Sequence, residues 1–257
     1  MVRVDTISPE EGVDQVAGQN TVMSYFGINA AWGATDAEQF PDFQKIREIM
    51  RYCPKGFALE NIDAVIIFVN DNNIEAYSSA YGPYITAPRR GQPVQAAMIQ
   101  APAEEESKSD DVWNWAITHE LGHTMARLQE EYEPILLWPY EERFRNIAKE
   151  LYSKWHWFIA NGYGIGNIGG DYGVWYWNGT VCGDDSYRPT KISLMGGMDS
   201  GTYGIQYGPV NTYHMQASFL TRMGTYPGIE PDDPTGFEWT YYPLESFKQD
   251  WGPERFK

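Results

Sequence analysis

Two histidines four residues apart, with a glutamate directly after the first, stand at His119-Glu120-Leu121-Gly122-His123. On a helix, positions i and i+4 lie one above the other on one face, so both imidazoles can reach one divalent cation. Glu120 then lies beside the open coordination position, where a carboxylate can take a proton from bound water. Two imidazoles do not complete such a site, because a catalytic zinc holds three protein ligands and keeps a fourth position for water. Glu130 is the nearest carboxylate that can serve as the third. In an unbroken helix it would stand about 10 Å beyond His123, so it can bind only if the helix ends near Ala126 to Leu128 and the chain turns back. Glu142, nineteen residues after His123, competes for the third place if a helix of its own carries it, and Glu131 stands behind both.

The elements that must position these groups are legible as patterns. Asp110 is a good N-cap, and the helix it opens carries Val112, Trp113, Ala116, Ile117, Leu121 and the metal motif. Upstream, Ala64-Val65-Ile66-Ile67-Phe68-Val69 is a continuous apolar run closed by Asn70-Asp71-Asn72, which predicts a buried central strand. Tyr81 to Thr86 and Val94 to Gln100 predict two further strands, with a turn around Pro88 to Pro93 between them. Asp42 to Cys53 has helical periodicity and Pro54 as its stop. Downstream, Glu141 to Ile159 reads as a second long helix, and Asn161 to Asp185 as a loop too rich in glycine to be regular. Val210 to Met223 reads as a last helix ending at Gly224. The tail from Tyr226 is expected to wrap the surface. With no repeat or low-complexity linker, the expectation is a single domain over 1–257, its core in 60–225 and its flanks 1–40 and 226–257 peripheral.

Composition narrows the function classes. The net charge of −16 argues against nucleic acid or an anionic membrane surface as partner. No apolar run approaches the length of a membrane span. The 18 tyrosines and 10 tryptophans are unusual, and several fall between Trp155 and Tyr187, where they either pack a core or line a groove. Cys53 and Cys182 allow one disulfide or two buried thiols. His156, between two tryptophans, reads as a packing or surface residue, and His214, in the last helix, as packing ahead of a supporting contact beneath the site.

The stretch from His119 to Tyr132, His-Glu-Leu-Gly-His-Thr-Met-Ala-Arg-Leu-Gln-Glu-Glu-Tyr, resembles the active-site segment of the IgA-peptidase-type zinc metallopeptidases, a metzincin-like family. In that resemblance His119 and His123 match zinc ligands, Glu120 the general base, and Glu130 the family's aspartate, its third ligand. Glu131 and Tyr132 match its Glu-Tyr. The likeness returns in order at Tyr187-Arg188-Pro189-Thr190, at Ser193-Leu194-Met195 and at Tyr207-Gly208-Pro209-Val210-Asn211. Ser-x-Met resembles the Met-turn that sets a methionine, here Met195, beneath the metal. The chain departs from the family at Arg127, where a glycine is usual, and at Glu130 itself.

The resemblance implies an α/β metzincin-like zinc-peptidase domain with a mixed sheet, an active-site helix, a Met-turn and a C-terminal helix. It implies Zn2+ as cofactor and hydrolysis of peptide bonds in a protein or glycoprotein substrate, by a monomer. A tyrosine near the Met-turn, Tyr187 or Tyr203, is the candidate oxyanion donor. The family also implies an extracellular or cell-surface protein; residues Met1 to Asp5 carry no signal core, so either the protein is not exported or the sequence begins after a leader. Two other readings compete: a gluzincin-type zinc peptidase using Glu142, and a non-catalytic secreted or virion binding module that retains a metal site.

Overall fold

The computed structural model describes residues 48, 64–70, 78–86, 93–101, 110–126, 128–132, 140, 144–196, 206–222 and 243–257. The chain divides into two compact units, Met1–Glu120 and Leu121–Lys257. The boundary falls inside helix α1, Asp110–Ala126. Among the described residues no helix is long and apolar enough to cross a membrane.

In the first unit, strands β1 (Ala64–Asn70), β2 (Ser78–Thr86) and β3 (Pro93–Ala101) form a sheet in the order β1-β3-β2. β1 runs parallel to β3, with Ala64 opposite Gln95 and Asn70 opposite Ala101, while β2 runs antiparallel to it. The sheet is therefore mixed. The apolar run of β1 forms the expected strand, rich in the β-branched residues that suit a pleated surface. Among the described strands β3, rather than β1, is the central one. The β2–β3 register shifts between Tyr81 and Ile85. Gly82 and Pro83 stand at that shift, and a proline has no N–H to give to the ladder.

Helix α1 ends at Ala126, and the Leu128 N–H then donates to the Gly122 carbonyl at 3.2 Å. A bond closing back across six residues is a common way to satisfy the last carbonyls of a helix while the chain turns off its axis. Arg127, where the sequence posed the question, lies outside the described residues.

The second unit is held by an aromatic core. Trp155, Phe158, Tyr163, Tyr176 and Tyr213 are buried together with Val174, Val210, Phe247 and Phe256. Around them run α2 (His156–Phe158), a π turn at Ile159–Tyr163, α3 (Ile165–Ile168) and a 3-10 turn at Gly170–Tyr172. The two-residue strands β4 (Trp177–Asn178) and β5 (Tyr187–Arg188) pair antiparallel. Helices α4 (Gly208–Arg222) and α5 (Leu244–Asp250) follow, and a 3-10 turn at Pro253–Phe256 closes the chain. The tryptophan- and tyrosine-rich stretch thus supplies packing, although Trp175 stays 39% exposed.

Two further expectations are corrected. The long helix foreseen from Glu141 to Ile159 is absent over 144–155, which form turns and bends. Ala148 pairs both of its backbone groups with Tyr187, at 3.0 and 2.8 Å, and Tyr152 adopts a left-handed φ of 65°. Backbone groups taken by a neighbouring strand cannot close helical turns, and the helical periodicity lost to that pairing. The chain end also does more than wrap the surface. Phe247 and Phe256 enter the core, and the Tyr163 hydroxyl donates to the Trp251 carbonyl at 2.9 Å. The helix foreseen at Asp42 to Cys53, apart from Glu48, and the stop at Gly224 lie outside the described residues.

Candidate metal centre

Helix α1 presents His119 and His123 one turn apart, and the segment beyond its end brings Glu130 back to them. One ligand atom of each of the three lies within 4.8 Å of the others. His119 and Glu120 are buried, and His123 and Glu130 are partly so. His123 Nδ1 lies 2.6 Å from the Leu128 carbonyl oxygen. A carbonyl only accepts, so Nδ1 carries a proton and Nε2 is the nitrogen left for a ligand role. Nε2 in turn lies 3.1 Å from Glu130 Oε1. A lone pair and a carboxylate repel at that distance, so the contact needs a positive charge. A proton on Nε2 would make an ion pair of these two groups. A cation would draw in all three, and two ligands of a tetrahedral zinc, each about 2.0–2.1 Å away, stand about 3.3 Å apart. The three side chains form a group that could hold a metal ion.

The segment that delivers Glu130 has a partner for each of its backbone links. The Gln129 N–H donates to Asn146 Oδ1, and Asn146 Nδ2 donates to the Gln129 carbonyl, both at 2.7 Å. The Glu130 carbonyl accepts from the Val181 N–H at 3.4 Å, and the Glu131 N–H donates to the Met195 carbonyl at 2.8 Å. Glu130 therefore hangs from a backbone pinned on both sides.

Glu131 points elsewhere. Its buried carboxylate accepts from Ser193 Oγ at 2.6 Å, and from Asn146 Nδ2 and Asn211 Nδ2 at 2.8 Å each. Burial pushes its pKa up to about 7, against the lowering effect of those three donors and of the Arg188 charge. Ser193 opens a tight turn, in which the Gly196 N–H donates to the Ser193 carbonyl and the Ser193 Oγ accepts from the N–H groups of Met195 and Gly196, all at 3.0 Å. Ser193-Leu194-Met195 is thus a turn whose first hydroxyl is tied to the residue after Glu130.

Met195 is fully buried, and its sulfur lies against α1. A β-carbon built at Gly122 would meet Met195 Sδ at 2.6 Å and Tyr207 Cε1 at 3.1 Å. A side chain at this position would force Met195 or Tyr207 to shift. Gly208, at the start of α4, has a φ of 75°, a conformation side chains resist, and it sets Tyr207 beside the same helix turn.

The foreseen residues separate into groups. His119, His123 and Glu130 come together, with the buried Glu120 on the same helix turn and Met195 against the same helix. Tyr187 lies in β5, its ring edge-on to Tyr176 at 6.1 Å and packed on the aromatic core. Tyr203 and Glu142 lie outside the described residues, and so does Cys53; Cys182 is buried. His156 is exposed and edge-on to Tyr152. His214 is buried in α4, its pKa held well below the usual 6.5 by burial and by the charges of Arg145 and Lys154. Asn146 escaped sequence reasoning because it sits inside a stretch with helical periodicity. Asn211 and Tyr207 stood in a quoted motif that gave them no task. No family model and no curated protein matches this chain in the comparisons made.

Proposed function

We propose that the chain is a zinc-dependent endopeptidase of the IgA-peptidase type, a metzincin-like α/β domain that hydrolyses peptide bonds in proteins or glycoproteins outside the cell or at its surface. The observation that carries this reading is the convergence of His119, His123 and Glu130, with the buried Glu120 on the same helix turn. The order of the sequence motifs lends it support, as does the tie of Ser193 to the residue after Glu130.

Zinc held by the three residues would supply Lewis acidity and water acidified toward neutral pH. Glu120 takes the proton from the attacking water and passes it to the leaving amine. The Leu128 carbonyl holds the His123 ring in the tautomer whose Nε2 faces the ligand group. A purely structural site has no need of a buried carboxylate at Glu120, which sets the binding-module reading lower.

Glu120→Gln separates binding from chemistry. The variant should retain about one zinc per chain by elemental analysis and lose about 10²-fold or more of peptide cleavage in a proteome-derived library. Full turnover in that variant, or cleavage that survives a strong chelator, would sink the mechanism.

A further inference from the structure

The Glu131 carboxylate is buried and accepts from three polar groups on three separate segments, none of them a histidine. Asn146 belongs to the turn after residue 144, Ser193 to the tight turn, and Asn211 to the first turn of α4. Taking a carboxylate out of water is costly, and a merely structural tie between these segments could be made with apolar contacts. What this network adds is direction.

The Glu131 side chain and its N–H are both held, the latter by the Met195 carbonyl, so the peptide link from which the Glu130 side chain springs has one orientation. Asn146 fixes Gln129 on the other side of Glu130. The same turn that carries Ser193 carries Met195, whose sulfur packs on Gly122 between the two histidines. A closed circuit therefore runs from α1 through Met195 and Ser193 to Glu131, and back through Glu130 to His123.

We propose that Glu131, with Ser193, Asn146 and Asn211, is the positioning residue that holds Glu130 at the histidine pair, so that this buried network sets how tightly the site takes a divalent cation. The proposal rests on the metal-site reading above. It assigns Glu131 no contact with metal or substrate; its effect passes through Glu130. Residues that orient a ligand from behind typically change metal affinity by about 10- to 100-fold when replaced.

The test measures Zn2+ affinity by competition with a chromophoric chelator, and the visible spectrum of the Co2+-loaded protein, on the full chain. Glu131→Gln, close in shape but with a donor facing Ser193, should weaken Zn2+ by about 10- to 100-fold and alter the cobalt band. In a Glu130→Ala background the same substitution should cost nothing further, because the two act as one unit. Ser193→Ala removes a single donor; it should move affinity the same way by a smaller factor, and it serves if Glu131→Gln does not fold. Unchanged affinity in both variants, or an equal loss with and without Glu130, overturns the positioning role alone. A wild-type chain that takes up no Zn2+ overturns the metal-site reading together with this one.

Discussion

At the scale of single residues, the site turns on which side chain is absent as much as on which are present. Gly122 has no β-carbon, and that gap is where Met195 and Tyr207 approach the helix. Gly122→Ala gains about 1 kcal/mol of helix propensity and creates an overlap with a methionine that is fully buried. Overpacking of that kind costs about 1–3 kcal/mol, so the variant should be net destabilised when unfolded by urea in the presence of chelator. In a Met195→Ala background the further cost of Gly122→Ala should be smaller, since the two changes share one space. A Gly122→Ala protein more stable than the parent would show that the turn does not lie against the helix. His119, Glu120 and His123 were readable because their chemistry is local, within one helical turn. Glu130 was readable only as a condition, that the helix must stop, and it stops at Ala126. Glu131 was read as a lesser ligand candidate, because sequence gives the order of carboxylates and not the directions in which they point.

At the scale of elements, local pattern and tertiary demand disagree in one instructive place. The stretch from Glu141 carries helical periodicity, yet Ala148 spends its backbone bonds on Tyr187 and Asn146 faces the ligand segment. The strands β1 to β3 and helices α1 and α4 were legible because their apolar spacing and their hydrogen bonds serve the same geometry. Helix α5 was missed for the opposite reason: at seven residues it is too short to show a period. Its docking is nonetheless substantial, because Phe247 is fully buried, with ring centres 5.5 to 5.9 Å from Tyr213, Phe158 and Tyr163. Phe247→Ala should cost about 3–5 kcal/mol, measured as a shift in the urea midpoint. A cost under about 1 kcal/mol would mean that the chain end only rests on the surface.

At the scale of the whole molecule, the acidic charge and the buried basic groups pull stability in a pH-dependent way. His214 is neutral in the fold because burial and the charges of Arg145 and Lys154 hold its pKa well below 6.5. In the unfolded chain it protonates near 6.5, so below that pH the unfolded state binds a proton that the folded state refuses. Stability is therefore unaffected by His214 above pH 6.5 and falls as pH drops below it, by up to about 1.4 kcal/mol per unit until the folded group also titrates. His214→Gln should flatten the decline in urea midpoint between pH 6.5 and 5.5. The slope is the readout, and an unchanged slope would place the acid sensitivity elsewhere.

Local pattern was enough to read the chemistry on offer: two imidazoles and a carboxylate on one helical turn, a further carboxylate within reach if the helix ended, and a Ser-x-Met stretch downstream. Such information is local, because a period of 3.6 residues fixes neighbours within a turn without reference to the rest of the chain. The tertiary structure alone decided which carboxylate returns to the histidines and which turns inward. That choice depends on Leu128 closing onto Gly122, and on Asn146, Ser193 and Asn211 arriving from segments up to 80 positions away to capture Glu131. Bonds between such distant positions leave no period in the sequence to read.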